Sequence, residues 1–272
     1  MAIGINVERM QAGMVDIKAV AILGFLSALG APQTAEAEGC SRDAYDGNGF
    51  IVCTIDPATD DLRLFLNDAD GMPYRRFSAL AEAEEARGRE LVFAFNAGMY
   101  GEDFSPTGLY VEDGEQARAI NTIVVEGRPA QIPNFYKRPN GVFYLDDDGA
   151  GVVTTEDYIA MAPDALFATQ SGPMLVIDGE FHPALIEGSS DRTRRSGVGV
   201  CEDGQVKLAA TDGGINFFNF ATLFRDHLLC PDALFLDGGN GVGVYHPELG
   251  RNNRSWHGGY GPMFAVVRDL GD

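Results

Sequence analysis

From residue 49 to residue 269 the chain repeats one device, a short apolar run that stops at a glycine turn. The runs include GFIVCTIDP (49–57), DLRLFLND (61–68), LVFAFNAGMY (91–100), LYVEDGE (109–115) and NGVFYLDDDGAGVVTT (140–155). They continue through ATQSGPMLVIDGEF (168–181), GVGVCEDGQVKLAATD (197–212), ALFLD (233–237) and PMFAVVRD (262–269). Runs this short, closed by Gly or Asp-Gly, read as strands, because a helix needs about ten residues at a 3.6-residue period. Two stretches meet the helical pattern. FSALAEAEEARG (77–88) has Ser78 as N-cap and Gly88 as stop, and NFFNFATLFRDHLLC (216–230) carries apolar residues at helical spacing. Residues 38–272 contain no linker, no internal repeat and no regular strand–helix alternation. The expectation is one α+β domain of strand-rich mixed sheets with a few helices.

Ahead of that domain, Lys18 precedes the apolar run AVAILGFLSALGA (19–31), followed by Pro32 and Ala35-Glu36-Ala37. This is the layout of a secretory signal peptide over residues 1–37, cleaved after Ala37, with Met14 as a second candidate start. The run is too short for a spanning helix, so no stable membrane insertion is expected after cleavage. An even set of cysteines in an exported chain favours disulfides. Cys40 with Cys53 would close a short loop and Cys201 with Cys230 would tie two later segments, although spacing does not fix the pairing. A periplasmic or extracellular location follows. The formal net charge of −20 argues against nucleic acid as a partner, while leaving room for a local basic pocket that takes one phosphate.

Polar groups end several apolar runs: Asn96, Gln170 and Ser171, Asp212, and Asp237. Strand ends at one sheet edge can line a cleft. Asp237 is the foremost of them, read either as a turn cap bonding the glycine amides or as a desolvated carboxylate tuned for catalysis. Asp212 carries the same two readings. Gly238, Gly239, Asn240, Gly241 and Gly243 leave backbone open beyond Asp237, where a ligand can approach. Arg192, Arg194 and Arg195 are the densest positive cluster, suited either to a phosphate or to neighbouring surface acids. In RNNRSWHGGYGP (251–262), Arg251, Arg254, Trp256 and His257 suit a sugar phosphate, with packing as the other reading for Trp256. Metal and cofactor motifs are missing: no zinc spacing, no P-loop, no calcium loop at Asp146-Asp147-Asp148. No metal and no cofactor are expected.

Seven segments in order resemble the phosphodiester glycosidase family. They are NAGMY (96–100), SPTGLYVEDG (105–114), KRPNGVFYLDDDGAG (137–151), ATQSGPMLVIDGEFHP (168–183), RRSGVGVCEDG (194–204), NFFNFATLFRD (216–226) and ALFLDGG (233–239). The resemblance covers roughly residues 45–268. It implies hydrolysis of a sugar-1-phosphodiester at the anomeric carbon, with a small-molecule or glycan sugar phosphate as the substrate. It places Asp237 at the anomeric carbon, Asp212 as the second carboxylate, and Arg195, with Arg192, on the phosphate. Asn96, Gln170 and the Gly238-Gly239-Asn240 turn would orient sugar or phosphate oxygens. Family members commonly continue the Asp-Gly-Gly turn with serines, where this chain has Asn240, Gly241, Val242 and Gly243. The alternatives are a non-catalytic carbohydrate-binding envelope protein on the same fold, or a metal-dependent phosphodiesterase.

Overall fold

The computed structural model describes residues 1, 2, 4, 36–128 and 131–271. The proposed signal peptide falls almost wholly outside them. The described residues from 36 onward belong to one compact unit, Thr34–Asp272.

Among the described residues, eighteen strands form three sheets of eight, five and five strands. The large sheet runs Glu36–Ala37, Cys40–Tyr45, Asn48–Ile55, Val206–Thr211, Arg195–Val200, Asp232–Gly238, Met174–Ile177, Glu180–Phe181. A second sheet runs Glu115–Arg118, Tyr110–Glu112, Phe167–Ser171, Gly141–Asp146, Gly149–Thr154. The third runs Arg251–Asn252, Val244–His246, Arg89–Asn96, Met263–Asp269, Asp61–Phe65. The sheets, expected to be mixed, are antiparallel at every described pairing. Tight turns explain this. Asp46-Gly47, Asp113-Gly114 and Asp178-Gly179 all have positive φ at both residues, the geometry of two-residue hairpin turns.

One apolar core joins the three sheets through Val198, Leu208 and Leu234, through Phe143, and through Phe93, Phe95 and Phe264. Helix Phe217–Thr222 and the π-turn Leu223–His227 cover the far face of the large sheet with Phe220, Leu223 and Phe224. Asn216 caps that helix by accepting the Asn219 N–H at 2.8 Å. Helix Phe77–Ala86 covers the third sheet through Phe77 and Leu80. Its N-cap position is Arg76 rather than Ser78, which lies inside the first turn. A third helix, Thr155–Met161, replaces the end of a strand expected to reach Thr155, because the Thr154 hydroxyl caps it on the Asp157 N–H at 3.1 Å. Both cysteine pairs are bonded, Cys40 to Cys53 and Cys201 to Cys230. No helix of the described residues is long and apolar enough to cross a membrane.

Candidate active site

The strand Asp232–Gly238 alternates until its last turn, then breaks step. Leu234 pairs with Val198 and Phe235 with Gly197, but Asp237 pairs with Ser196, so Leu236 is an extra residue. Such a bulge re-aims the residue that follows it. Strict alternation would turn Asp237 to the helix-covered face with Phe235. Opposite Ser196, it instead faces the region between the sheets. Ser171 holds the bulge by donating its hydroxyl to the Leu236 carbonyl at 2.8 Å.

The Asp237 carboxyl is half-buried, and its Oδ1 accepts the Gly238 N–H at 2.7 Å. Burial pushes its pKa up to about 6, the Gly238 hydrogen bond opposing. The turn Gly239–Gly241 wraps the carboxyl so closely that a Cβ at Gly241 would lie 1.9 Å from Asp237 Oδ2. A Cβ at Gly243 would meet the Tyr260 hydroxyl at 2.4 Å. The two glycines thus make room for a carboxylate and a phenol. That is a physical reason for the absence of serines at these two positions.

Two tyrosines face this carboxylate. Tyr260 is buried and stacks on Phe77 at 4.6 Å, and its hydroxyl has no protein partner. Burial raises its pKa to about 12, with the Arg194 charge opposing and Asp237 assisting. Tyr100 donates its hydroxyl to the Gly259 carbonyl at 2.9 Å, with His257 Nε2 at 3.3 Å. Burial, then the Asp237 charge, lifts the Tyr100 pKa well above the phenol range. Arg75 pins the loop beyond through the Gly258 carbonyl at 2.7 Å, and Trp256 stands on that loop 90% exposed, so it does not serve packing.

Asn96 lies immediately behind. Its amide donates to Ser196 Oγ at 2.8 Å and its Oδ1 accepts the Gly243 N–H at 3.0 Å. Ser196 in turn donates to the Asp237 carbonyl at 3.2 Å. Asn96 therefore joins Asp237 as a clamp between two sheets and the glycine turn.

Of the remaining expected residues, Gln170, Asp212, Arg192 and Arg195 are placed elsewhere, while Gly239 and Asn240 stay on the turn beside Asp237. Gln170 is 1% exposed, with four polar contacts: it accepts from Leu109 N and Asn121 N and donates to Asn121 O and Thr155 Oγ1. It pins a loop and has no bond left for a substrate. Asp212 stands two strands from Asp237, ion-paired with Arg251 and, at 3.9 Å, with Arg42. Arg192 is exposed and bound to Gly214 O and Asn48 Oδ1. Arg195 points to the opposite face of the sheet. Its guanidinium lies 3.6 Å from the Phe217 ring centre, donates to Ile215 O at 2.9 Å and pairs with Asp191 at 3.4 Å. Arg194, one residue earlier in the chain, is half-buried with its Nε 3.5 Å from the Thr211 carbonyl, and its charge opposes the rise of the Tyr260 pKa. Gly239 is held by its N–H on the Arg194 carbonyl at 2.9 Å, and Asn240 is exposed at the tip of the turn.

This division predicts two different outcomes. Arg195→Met should lose about 2–3 kcal/mol of stability by stranding buried partners. Arg194→Ala should stay within about 1 kcal/mol of the parent and lose turnover at least about tenfold. Denaturant titration and kcat/KM on the same pair of variants check it, and the reverse pattern would make Arg195 the arginine on which turnover depends.

Tyr100, Tyr260 and Ser196 are not among the site residues expected from sequence, and Arg194 enters there only as one member of the arginine cluster. Tyr100 sits four residues after Asn96 in NAGMY, and Tyr260 in YGP, which are the local signals that mark them.

Residues 89–266 match the family model of the phosphodiester glycosidases. The chain belongs to the phosphodiester glycosidase family. It is 32% identical over 185 residues to the uncharacterized protein YigE of Escherichia coli strain K12, covering 68% of this chain and 70% of YigE. Its fold is similar to the catalytic domain of zebrafish N-acetylglucosamine-1-phosphodiester alpha-N-acetylglucosaminidase, auto-inhibited by its pro-peptide. That match has a TM-score of 0.58 at 15% identity and covers 84% of this chain and 81% of that one. A hypothetical protein from Synechocystis matches with a TM-score of 0.51 at 16% identity, over 85% of this chain and 62% of its own. At these identities the structural matches establish the fold. Membership of the phosphodiester glycosidases supports a hydrolase of the glycosidase type, and the matched span contains Asn96, Arg194, Asp237 and Tyr260.

Proposed function

We propose that this phosphodiester glycosidase is exported and cleaves the sugar–oxygen bond of a sugar-1-phosphodiester. Water adds to the anomeric carbon, the free sugar leaves, and the phosphate remains as a monoester on the aglycone. The observation that carries the reading is the Asp237 carboxyl, re-aimed by a bulge, wrapped by bare backbone and lifted to about 6. A phosphate ester is a weakly basic leaving group, so its departure needs little protonation. What the reaction needs is an anion near the oxocarbenium-like centre and a cation near the departing phosphate. Asp237, ionised at neutral pH, supplies the first by stabilising, attacking or activating water at that centre. Arg194 supplies the second. The two disulfides fit folding in an oxidising compartment, which agrees with the leader-like sequence over residues 1–37.

Hydrolysis of a panel of sugar-1-phosphodiesters in 18O-labelled water tests the bond assignment. The label should enter the sugar; label in the phosphate would mean phosphorus–oxygen cleavage and a phosphodiesterase. If glycans bind without turnover, the carbohydrate-binding alternative holds. The pH profile tests the role of Asp237. Because the ionised form acts, kcat/KM should fall about tenfold per pH unit below about 6 and level off above it. A profile that instead falls above 6 would make Asp237 an acid and sink this assignment.

A further inference from the structure

Residues 251–260 border the Asp237 site. At the start of this segment, Arg251 pairs with Asp212, next to Thr211, whose carbonyl lies 3.5 Å from Arg194 Nε. At its end, Arg75 donates to the Gly258 carbonyl at 2.7 Å, and the Arg75 carbonyl accepts the Tyr260 N–H at 2.9 Å. Tyr100 donates to the Gly259 carbonyl at 2.9 Å. The segment therefore begins beside the arginine assigned to the phosphate and ends on the two tyrosines that face the Asp237 carboxylate.

Exposure alternates along its first half. Arg251, Asn253 and Ser255 are half-buried, and Asn252, Arg254 and Trp256 are exposed, the pattern of an extended chain with one face outward. Asn253 anchors the inner face, its Oδ1 accepting the Val244 N–H at 3.0 Å. The two neighbours of Trp256 are tied to the site. Tyr100 gives its hydroxyl proton to Gly259, so it accepts from His257 Nε2 at 3.3 Å, and His257 Nδ1 then accepts the Ser255 hydroxyl at 2.5 Å. Trp256 stands between two side chains linked to Tyr100.

A lone exposed apolar side chain is ordinary at a protein surface. Trp256 differs because its flanks are fixed while its indole is left bare. A bare aromatic face on a fixed backbone is preorganised contact area, since little freedom remains to be lost when a ligand covers it. The direction of the substrate selects the ligand. With the phosphate at Arg194 and the anomeric carbon at Asp237, the sugar ring extends toward Tyr100 and Trp256, and the aglycone extends the other way.

We propose that Trp256 is the sugar-binding platform of this enzyme: the apolar C–H face of the substrate's pyranose ring lies flat on its indole, at the end of the site away from Arg194. The proposal rests on the glycosidase reading for the direction of the substrate. Trp256 binds the ring and takes no part in breaking the bond.

Trp256 is the only tryptophan in the chain, so its fluorescence reports on this position alone. The full chain carrying Asp237→Asn, which should hold substrate without turning it over, is titrated with the 1-(methyl phosphates) of glucose, galactose, mannose and N-acetylglucosamine. Dimethyl phosphate, which has no sugar, is the control. At least one sugar ester should shift the emission saturably to shorter wavelength, and dimethyl phosphate should not. Calorimetry on the same chain with Trp256→Ala added should show that ester bound at least about tenfold more weakly. With Asp237 intact, Trp256→Ala should raise KM by a similar factor and leave kcat within about twofold, because the indole holds ground and transition states alike. Trp256→Phe, which keeps an aromatic face, should recover most of the loss. An emission unmoved by every sugar ester, or an affinity unchanged by Trp256→Ala, would overturn the platform. A shift produced by dimethyl phosphate would put the phosphate side at Trp256 and overturn the sugar assignment. Failure of the glycosidase reading shows differently, as 18O entering the phosphate, or no turnover, with the emission shift intact.

Discussion

Asp237→Asn is expected to lose hydrolysis by a factor of about 10²–10⁴ while becoming more stable than the parent at pH 8. Both effects have one source. The carboxyl titrates at about 6 instead of 3.8 because burial disfavours its charge. The folded state therefore holds a proton through a pH range where the unfolded chain has lost it. Stability from this group is present in full below about pH 4 and disappears as pH rises through 6. At pH 8 the buried charge costs about 3 kcal/mol, which the isosteric amide removes. At pH 4 the parent is protonated already, and the two proteins should unfold alike. Urea titrations at pH 4 and pH 8, with turnover on the same preparations, measure both effects. An Asn variant that keeps its activity, or that gains no stability at pH 8, would leave Asp237 as the cap of a glycine turn.

The position of Asp237 is legible in sequence, because a charge closing an apolar run marks a strand end. Its orientation is not. Alternation within ALFLD directs residue 237 to the side of Phe235, and only the pairing of Asp237 with Ser196 reveals the extra residue at Leu236. The same limit separates Arg194 from Arg195. Two adjacent arginines look alike in RRSG, yet a strand turns them to opposite faces. Gln170 shows a different limit. Its place at a strand end is local, but its four contacts come from Leu109, Asn121 and Thr155, which only the folded chain brings to it. Turns fare better, since Asp113-Gly114 demands positive φ wherever it stands. Local chemistry fixes where strands stop and double back. Cross-strand register decides what the strand ends face.

Register also accounts for the glycines beyond Asp237, and that gives a second large effect. Gly241→Ala should lose turnover by about 10²-fold or more without unfolding the protein, because proper placement of a catalytic group is worth that much. The added Cβ would stand 1.9 Å from Asp237 Oδ2 and 2.3 Å from its Cγ, so the carboxyl has to leave its place. Gly241 has no positive φ, so alanine introduces no backbone strain of its own; the whole cost is the collision. Overfilling of this kind typically costs about 1–3 kcal/mol. A carboxyl turned out toward water recovers its ordinary acidity, and the residual activity should lose its acid limb at about 6 and show it nearer 4. Stability supplies an independent check. In an Asp237→Ala background the collision is gone, so adding Gly241→Ala should cost much less than in the parent. The resulting coupling should exceed about 0.5 kcal/mol, as expected of side chains in contact. Full activity in Gly241→Ala, with the limb still at 6, would show that the carboxyl and the turn do not act together.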